Sequence, residues 1–507
     1  MICVSIGRTR HRMMLAEIEE ATKRGAQLIE LRLDFITRAI DFKRLLQVKQ
    51  VPFIATLRRQ ADGGRFAGTE EQRLMLLRQI IASKEFDWVD LETDVADQVR
   101  RYGPTRRIVS YHNLKEMPKD LERLHANMCA QDADVVKIAV RAEHPLDNLR
   151  ALQLCWQAEK PTIAICLGEM GLPSRILAAK FGAPFTYAAF NKERGIAPGI
   201  LSVEEMVHVY HYERINPATK VYAVLGDPIA QSLSPLVHNQ AFRRFGINAV
   251  YVPMRVPRAD LEATLDVLRK LPVHGYSITI PHKEEAARLA GTRDELVELT
   301  RSANTLIPEG THFRAYNTDA TAAMEALKQG MAHREGGGSL TGRTVLLLGA
   351  GGTARSIGYA LRQEGAVVLV ANRTPPRGVG LAEELKCRAV DWTARNAVSA
   401  EIYINCTPVG MHPNVDESPL HPSVFRPGLT VMDCVYNPET TLLIRQARER
   451  GCHVITGVEM FVRQAARQFQ LFTGMEPPLE EMSQIVRRAV APRGQLHVAP
   501  SAAEAGG

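Results

Sequence analysis

Residues Thr344–Ala354 read TVLLLGAGGTA. Thr344–Leu348 is an apolar run of strand length, and it leads directly into Gly349, Gly351 and Ala354, a G-x-G-x-x-A turn that opens a helical pattern. The first glycine permits the tight turn and the second lets the backbone approach a pyrophosphate. The small third residue packs helix on strand, and the helix N-terminus faces the phosphates. A glycine turn without a ligand is the bland reading, but strand before and helix after favour a dinucleotide site.

The next strand, AVVLVANRT, ends where an NAD-binding fold places an acidic residue for the ribose 2′-hydroxyl. Here the chain has Asn372 and Arg373, with Arg377 shortly after. A carboxylate would repel a 2′-phosphate, whereas guanidinium groups bind one. The local chemistry reads as NADP rather than NAD; the alternative is a solvated helix start.

Outward from this lobe, the Gly-rich break EGGG (335–338) separates it from a smaller α/β series at Val221–Leu225, Ala249–Val252, Gly275–Ile280, Ala303–Ile307 and Phe313–Tyr316. Further back, the polar stretch ERINPATK (213–220) marks a linker. Before it stand eight apolar runs: Ile2–Gly7, Leu28–Phe35, Phe53–Arg58, Trp88–Thr93, Arg107–Asn113, Asp134–Val140, Pro161–Gly168 and Phe185–Phe190. Most are separated by enough residues for a helix. Eight βα units predict a closed (β/α)8 barrel, with an open doubly wound sheet as the competing fold. The expected domains are 1–214, a linker 215–220, 221–335 and 336–490, with a disordered tail over 491–507 that is rich in Pro, Ala and Gly.

The composition agrees with a multidomain α/β enzyme. The 507 residues are 45% hydrophobic and 23% charged, which excludes disordered, collagenous and coiled-coil classes. The net charge of +7 is mild, and scattered Lys and Arg with 6% aromatics argue against a nucleic-acid binder. The eight cysteines show no CxxC spacing and read as reduced core residues, with no metal site expected. No apolar run has membrane length and the start MICVSIG reads as a strand, so a cytoplasmic protein without a membrane partner is expected.

Several polar residues stand where chemistry is plausible. Ser232 and Ser234 lie in the loop GDPIAQSLSP, Lys283 just past a strand in TIPHK, and Asp319 in NTD. A Lys–Asp pair near a nicotinamide suits a proton relay for a carbonyl/alcohol couple. In the first half, Glu30, Arg32 and Asp34 alternate along ELRLD and so would share one strand face. Lys137 stands in DVVKIAV, where desolvation would favour a neutral amine nucleophile, and His112 in SYHN ends the preceding strand. Together they suggest imine formation and proton abstraction beside the iminium; a snorkelling lysine and a capping histidine are the structural alternative.

Nine ordered segments, GDPIAQSLSPLVHN, TIPHKE, SANT, YNTD, GAGGTA, NRTPPR, NCTPVGM, DCVYNP and GVEMFVRQA, resemble shikimate dehydrogenases over roughly 221–490. The resemblance implies a two-lobed α/β dehydrogenase with a C-terminal Rossmann lobe. It makes Lys283 and Asp319 the catalytic pair. Ser232, Ser234, Thr279, Asn304, Asp319 and Gln464 would bind shikimate, with Tyr436 nearby. Gly349, Ala350, Gly351, Gly352, Thr353, Ala354, Asn372, Arg373, Thr374 and Arg377 would hold NADP.

The first half resembles type I 3-dehydroquinate dehydratases through ELRLD, ATLR, DLE, SYHN, VVKIAV and GLPSR. That likeness implies Lys137 as the Schiff-base lysine and His112 as the base that removes the C2 proton. Glu30, Arg32, Arg58 and Arg175 would bind substrate. The chain departs from that family at Asp62, where an EGG triplet is usual, and at Ile196 and Ile200, where the lid usually carries Ser and Gln. The two resemblances name consecutive steps of the shikimate pathway. The expected function is therefore bifunctional, the alternative being a dehydrogenase with a weak or inactive barrel. A quinate dehydrogenase using NAD is a further rival, against which Asn372-Arg373 argues.

Overall fold

The structure is a computed structural model that describes residues 1–195, 197–269, 273–332 and 338–491. Contact density divides the chain into two units, Met1–Pro235 with Phe242–Val273, and Leu236–Ala241 with His274–Gly507.

The first unit opens with eight strands: β1 (Ile2–Ile6), β2 (Leu28–Arg32), β3 (Phe53–Thr56), β4 (Trp88–Glu92), β5 (Arg106–Asn113), β6 (Val135–Arg141), β7 (Thr162–Leu167) and β8 (Thr186–Ala189). They form one parallel sheet in the order β7-β6-β5-β4-β3-β2-β1-β8, a nearly closed barrel. The expected runs fall on these strands and the open-sheet reading is set aside. One boundary shifts: β2 stops at Arg32, and Leu33–Phe35 is a turn of 3-10 helix. Asp34 therefore does not continue the strand face; its carboxylate folds back onto the Arg32 guanidinium in two bonds of 2.9 and 2.8 Å.

Period two along each strand builds the interior in layers. An apolar floor comes from Cys3, Leu28, Ile54, Trp88, Ile108, Val135, Ile163 and Phe185. Two residues further along, the same strands present Ser5, Glu30, Thr56, Asp90, Ser110, Lys137, Ile165 and Tyr187. The polar layer thus sits directly on the apolar one, towards the carboxyl ends where barrel chemistry is found. After the barrel, β9 (Lys220–Gly226) and β10 (Ala249–Arg255) pair in parallel over seven residue pairs.

In the second unit, β11 (Val273–Ile278) pairs antiparallel with β13 (Thr305–Glu309), which forms a hairpin with β14 (His312–Tyr316). The short β12 (Thr292–Arg293) lies parallel to β14; two residues carry no periodicity, so the sequence reading has no strand there. The remaining strands, β15 (Thr344–Leu348), β16 (Val367–Ala371), β17 (Arg388–Val390), β18 (Ile402–Asn405), β19 (Thr430–Asp433) and β20 (His453–Ile455), are all parallel. Their order β17-β16-β15-β18-β19-β20 is that of a dinucleotide-binding sheet, with its switch point beside β15. Val345, Leu347 and Val368 face one apolar cluster and Leu346, Leu348 and Val431 the other. That two-sided burial explains why these strands read as continuous apolar runs.

Among the described residues no helix is long and apolar enough to cross a membrane, and no His/Cys/Asp/Glu group is arranged to hold a metal. Beyond Ala491 the expected disordered tail lies outside the described residues, as do residues 335–337 of the Gly-rich break.

Candidate active sites

A cavity of about 120 Å³ opens above the polar layer of the barrel, lined among others by Glu30, Arg32, Arg58, His112, Lys137, Arg175, Tyr187 and Ile200. All the barrel residues expected at a site therefore meet in one place. Lys137 Nζ donates to Asp90 Oδ2 at 3.0 Å, lies 3.6 Å from Glu30 Oε1, and sits 4.0 Å from the centre of the Tyr187 ring. The expected apolar surroundings of Lys137 are corrected here: Val136 and Ile138 flank it in sequence, but on a strand they point away from the face it shares with two carboxylates.

The carboxylates are held in turn. Glu30 accepts from Ser5 Oγ at 2.5 Å and Thr56 Oγ1 at 2.9 Å. Asp90 accepts from Ser110 Oγ at 2.6 Å and pairs with Arg58 Nη2 at 2.8 Å. Arg58 also bonds Glu92 at 2.8 Å, which Arg73 holds from the other side at 2.6 Å. Burial raises the cost of both carboxylates, yet Arg58 and Lys137 hold Asp90 well below the usual range, and Lys137 and Arg32 hold Glu30 below it. Both remain anionic.

His112 behaves in the opposite way. Burial, with Arg58 and Lys137 adding like charge, keeps its imidazole well below its ordinary value, so the ring is neutral. Among the described residues its Nδ1 is buried without a hydrogen-bond partner, as are Arg175 Nε and the Tyr187 hydroxyl. Burial holds the Arg175 guanidinium down to about 10. Three partnerless polar groups thus border one cavity. Buried polar groups are normally satisfied, so this grouping marks a place where a polar ligand completes the bonds.

The lid closes over the β7 end. Gly168 N donates to Pro198 O at 3.1 Å, and Gly199, at φ +68°, lies so close to Gly168 that an added Cβ would fall 2.1 Å from its carbonyl oxygen. Ile200 lines the cavity, and Lys192 and Ser202 both bond Glu205. Ile196 lies outside the described residues. Asp62 also lines the cavity, with its carboxylate bonded to Arg59.

In the second unit Lys283 and Asp319 come together from the helices Lys283–Leu289 and Thr318–Met331. Lys283 Nζ donates to Asp319 Oδ2 at 2.5 Å and to Thr353 Oγ1 at 3.0 Å. Asn304 Nδ2 donates to Asp319 Oδ1 at 3.0 Å and lies 3.5 Å from Gln464 Oε1. Asn317 fixes the acid by accepting from the Asp319 and Ala320 amides as helix cap. Tyr436 stacks on Phe461 with ring centres 4.2 Å apart, three residues before Gln464. Thr279 follows β11 and its carbonyl accepts from His282 N. Ser232 and Ser234 belong to the first unit, where the Ser232 hydroxyl accepts from Ser234 N at 3.3 Å.

The glycine turn has the geometry a pyrophosphate requires. Gly349 adopts φ +115°, and a Cβ there would lie 3.2 Å from the Cys406 carbonyl carbon. A Cβ on Gly351 would meet nothing within 4 Å, so space stands open over the turn. Ala354 is fully buried against the sheet. At the end of β16, Asn372 donates to Thr374 O at 2.8 Å, and Arg373 is exposed with no ion pair among the described residues. Arg377 lies 3.4 Å from Ala350 O and 3.6 Å from Glu284. The residues present fit a phosphorylated dinucleotide.

Sequence reasoning missed Asp90, Ser110 and Tyr187 as members of the barrel site. Their signal was available: each lies two residues past a floor residue on its strand, the same offset that singles out Lys137 and Glu30.

Fold and sites define a two-centre α/β protein, a lysine-bearing barrel joined in sequence to a dinucleotide-binding region with a buried Lys–Asp pair. Residues 2–217 match the type I 3-dehydroquinase family, 224–306 the shikimate dehydrogenase substrate binding domain, 331–409 shikimate/quinate 5-dehydrogenase and 457–487 the shikimate 5′-dehydrogenase C-terminal domain. The chain is 34% identical over 511 residues to the chloroplastic bifunctional 3-dehydroquinate dehydratase/shikimate dehydrogenase of Arabidopsis thaliana, covering 96% of this chain and 84% of the relative. It is 30% identical to the shikimate biosynthesis protein AroDE of Chlamydia pneumoniae over 88% of this chain and 90% of that one. A crystal structure of a shikimate dehydrogenase in complex with NADP+ matches with a TM-score of 0.51 and 31% identity, over 55% of this chain and 98% of that one. The chain belongs to the bifunctional 3-dehydroquinate dehydratase/shikimate dehydrogenase family.

Proposed function

We propose that this chain dehydrates 3-dehydroquinate in its barrel and reduces the resulting 3-dehydroshikimate to shikimate with NADPH in its second catalytic centre. The observation that carries the first activity is the lysine cavity bordered by three partnerless polar groups. In that cavity Lys137 is the nucleophile that condenses with the substrate ketone. Asp90 and Glu30 are placed to take its proton, at 3.0 and 3.6 Å. Neutral His112 removes the C2 proton to give an enamine. Loss of the C1 hydroxyl as water restores the iminium, and hydrolysis frees Lys137. Arg175, which forms no ion pair among the described residues, takes the substrate carboxylate; Arg32, Arg58 and Glu30 face its hydroxyls. These groups support an active barrel over an inert one.

In the dehydrogenase, Lys283 donates a proton to the developing alkoxide and Asp319 orients the ammonium. Asn304 and Gln464 hold hydroxyls beside them, and on the family resemblance Thr279 and Tyr436 of the same unit take part in the recognition of shikimate. NADPH, when bound, supplies the hydride. The turn Gly349, Ala350, Gly351, Gly352, Thr353 and Ala354 would carry its pyrophosphate, and Asn372, Arg373, Thr374 and Arg377 its 2′-phosphate.

The functional division we assign is 1–214, 215–220, 221–335 and 336–490, and the compartment is the cytoplasm, supported by eight free cysteines. The test is to feed purified protein 3-dehydroquinate and NADPH. NADPH oxidation without added dehydratase is the expected result; none, with shikimate oxidation intact, would remove the barrel activity.

A further inference from the structure

We propose that Cys406 and Cys434 form an oxidisable dithiol at the cofactor end of the Rossmann sheet, a modification site for peroxides. The two residues continue neighbouring strands. Asn405 and Asp433 are the last registered pair of β18 and β19, and Cys434 N donates to Asn405 O at 2.9 Å. Both side chains turn to the same face and pack on the same apolar cluster. Their sulfurs stand 3.9 Å apart, with the Cys434 thiol donating to Cys406. Neighbouring strands lie about 4.8 Å apart, within the span of about 4.4–6.8 Å that a disulfide bridges between Cα atoms.

Both thiols are half-buried, as are Cys129 and Cys387, whereas Cys3, Cys155, Cys166 and Cys452 are buried. The Cys434 thiol donates its hydrogen to Cys406 and stays protonated through that bond and burial, so Cys406, the acceptor sulfur, is the one placed to attack first. Attack on the O–O bond of a peroxide gives a Cys406 sulfenic acid and releases an alcohol, or water from hydrogen peroxide. Cys434 sulfur then displaces the hydroxyl as water. In sum, two thiols are oxidised to one disulfide while one peroxide is reduced, with loss of two hydrogens from the chain.

The location gives the bond a consequence. The Cys406 backbone lies against Gly349, where even a Cβ would come within 3.2 Å. Drawing the sulfurs from 3.9 Å to about 2.05 Å moves the strand end that supports the dinucleotide turn. Displacements of about 1 Å at a reacting site cost up to about 10²-fold in rate. The inference of lost turnover rests on the dehydrogenase reading above; formation of the bond does not.

The experiment treats the full chain with hydrogen peroxide, then alkylates and digests it. A peptide joining residues 406 and 434 is expected, with two of the eight thiols lost. Shikimate oxidation with NADP+ should fall about 10–100-fold and return with dithiothreitol, while 3-dehydroquinate dehydration is unchanged. Cys406→Ser and Cys434→Ser should keep untreated turnover and resist peroxide. Absence of the joined peptide overturns the site. A bond that leaves turnover unchanged, or peroxide losses in the two variants as large as in the native chain, overturns its effect on the cofactor centre.

Discussion

Lys137 on β6 and Asp90 on β4 meet at 3.0 Å although their strands are not neighbours in the sheet. The contact passes over β5, whose Ser110 donates to the other Asp90 oxygen at 2.6 Å. A charge placed in a barrel interior is costly unless paired. Here the pairing also fixes where the amine points.

Lys137→Ala should abolish dehydration and the covalent adduct. Borohydride with 3-dehydroquinate is expected to add one ligand mass to the native chain and none to the variant. Dehydrogenase turnover should survive, since its Lys–Asp pair belongs to the other unit. Labelling that persists in the variant would assign the imine elsewhere.

The pH profile of dehydration follows from His112. It acts as a base only when neutral, and burial with Arg58 and Lys137 keeps its folded value well below 6.5. The acid limb of kcat/KM should therefore fall well below that pH. Stability carries the same sign. The unfolded chain binds this proton first as pH drops below 6.5, so the contribution present above 6.5 is lost on the way down to the folded value. Thermal melts of native and His112→Asn chains at two pH values should converge on acidification.

Lys283→Ala or Asp319→Asn should slow ketone reduction by about 10²–10⁴-fold, the usual contribution of a proton-transfer group. Steady-state NADPH oxidation measures it. A change within a few-fold for either variant would mean that the pair does not serve the reacting oxygen.

Arg373→Ala should weaken NADPH binding far more than NADH binding. A charge-assisted hydrogen bond contributes about 1.5–3 kcal/mol, or roughly 10- to 150-fold. Fluorescence titration with the two cofactors separates them, and equal losses would remove Arg373 from the 2′-phosphate site.

Ile200 lines the barrel cavity with an apolar side chain. A hydrogen bond absent there lowers transition-state binding by about 0.5–1.5 kcal/mol. Ile200→Gln is expected to raise kcat/KM of dehydration by about 2- to 12-fold. No gain in kinetics of the full chain would show that the lid needs no polar group at this position.

How much was legible in advance depends on the range of the interactions. Strand runs, the glycine turn and the acid-free end of β16 are local patterns, and alternation or turn chemistry sets them within a few residues. The sequence alone therefore determined a barrel followed by a dinucleotide-binding sheet, and it singled out Lys137, His112, Lys283, Asp319 and Arg373 as candidates. Tertiary structure decided what those side chains face. Ile138 and Val136 suggested an apolar nest for Lys137, but barrel closure turns it towards Asp90 and Glu30, 47 and 107 residues away. It also ended β2 at Arg32, because Asp34 reaches back to the guanidinium, and it brought Cys406 against Cys434 through the strand order. Such contacts join residues far apart in the chain, and their energies depend on burial and distance, which no local pattern records.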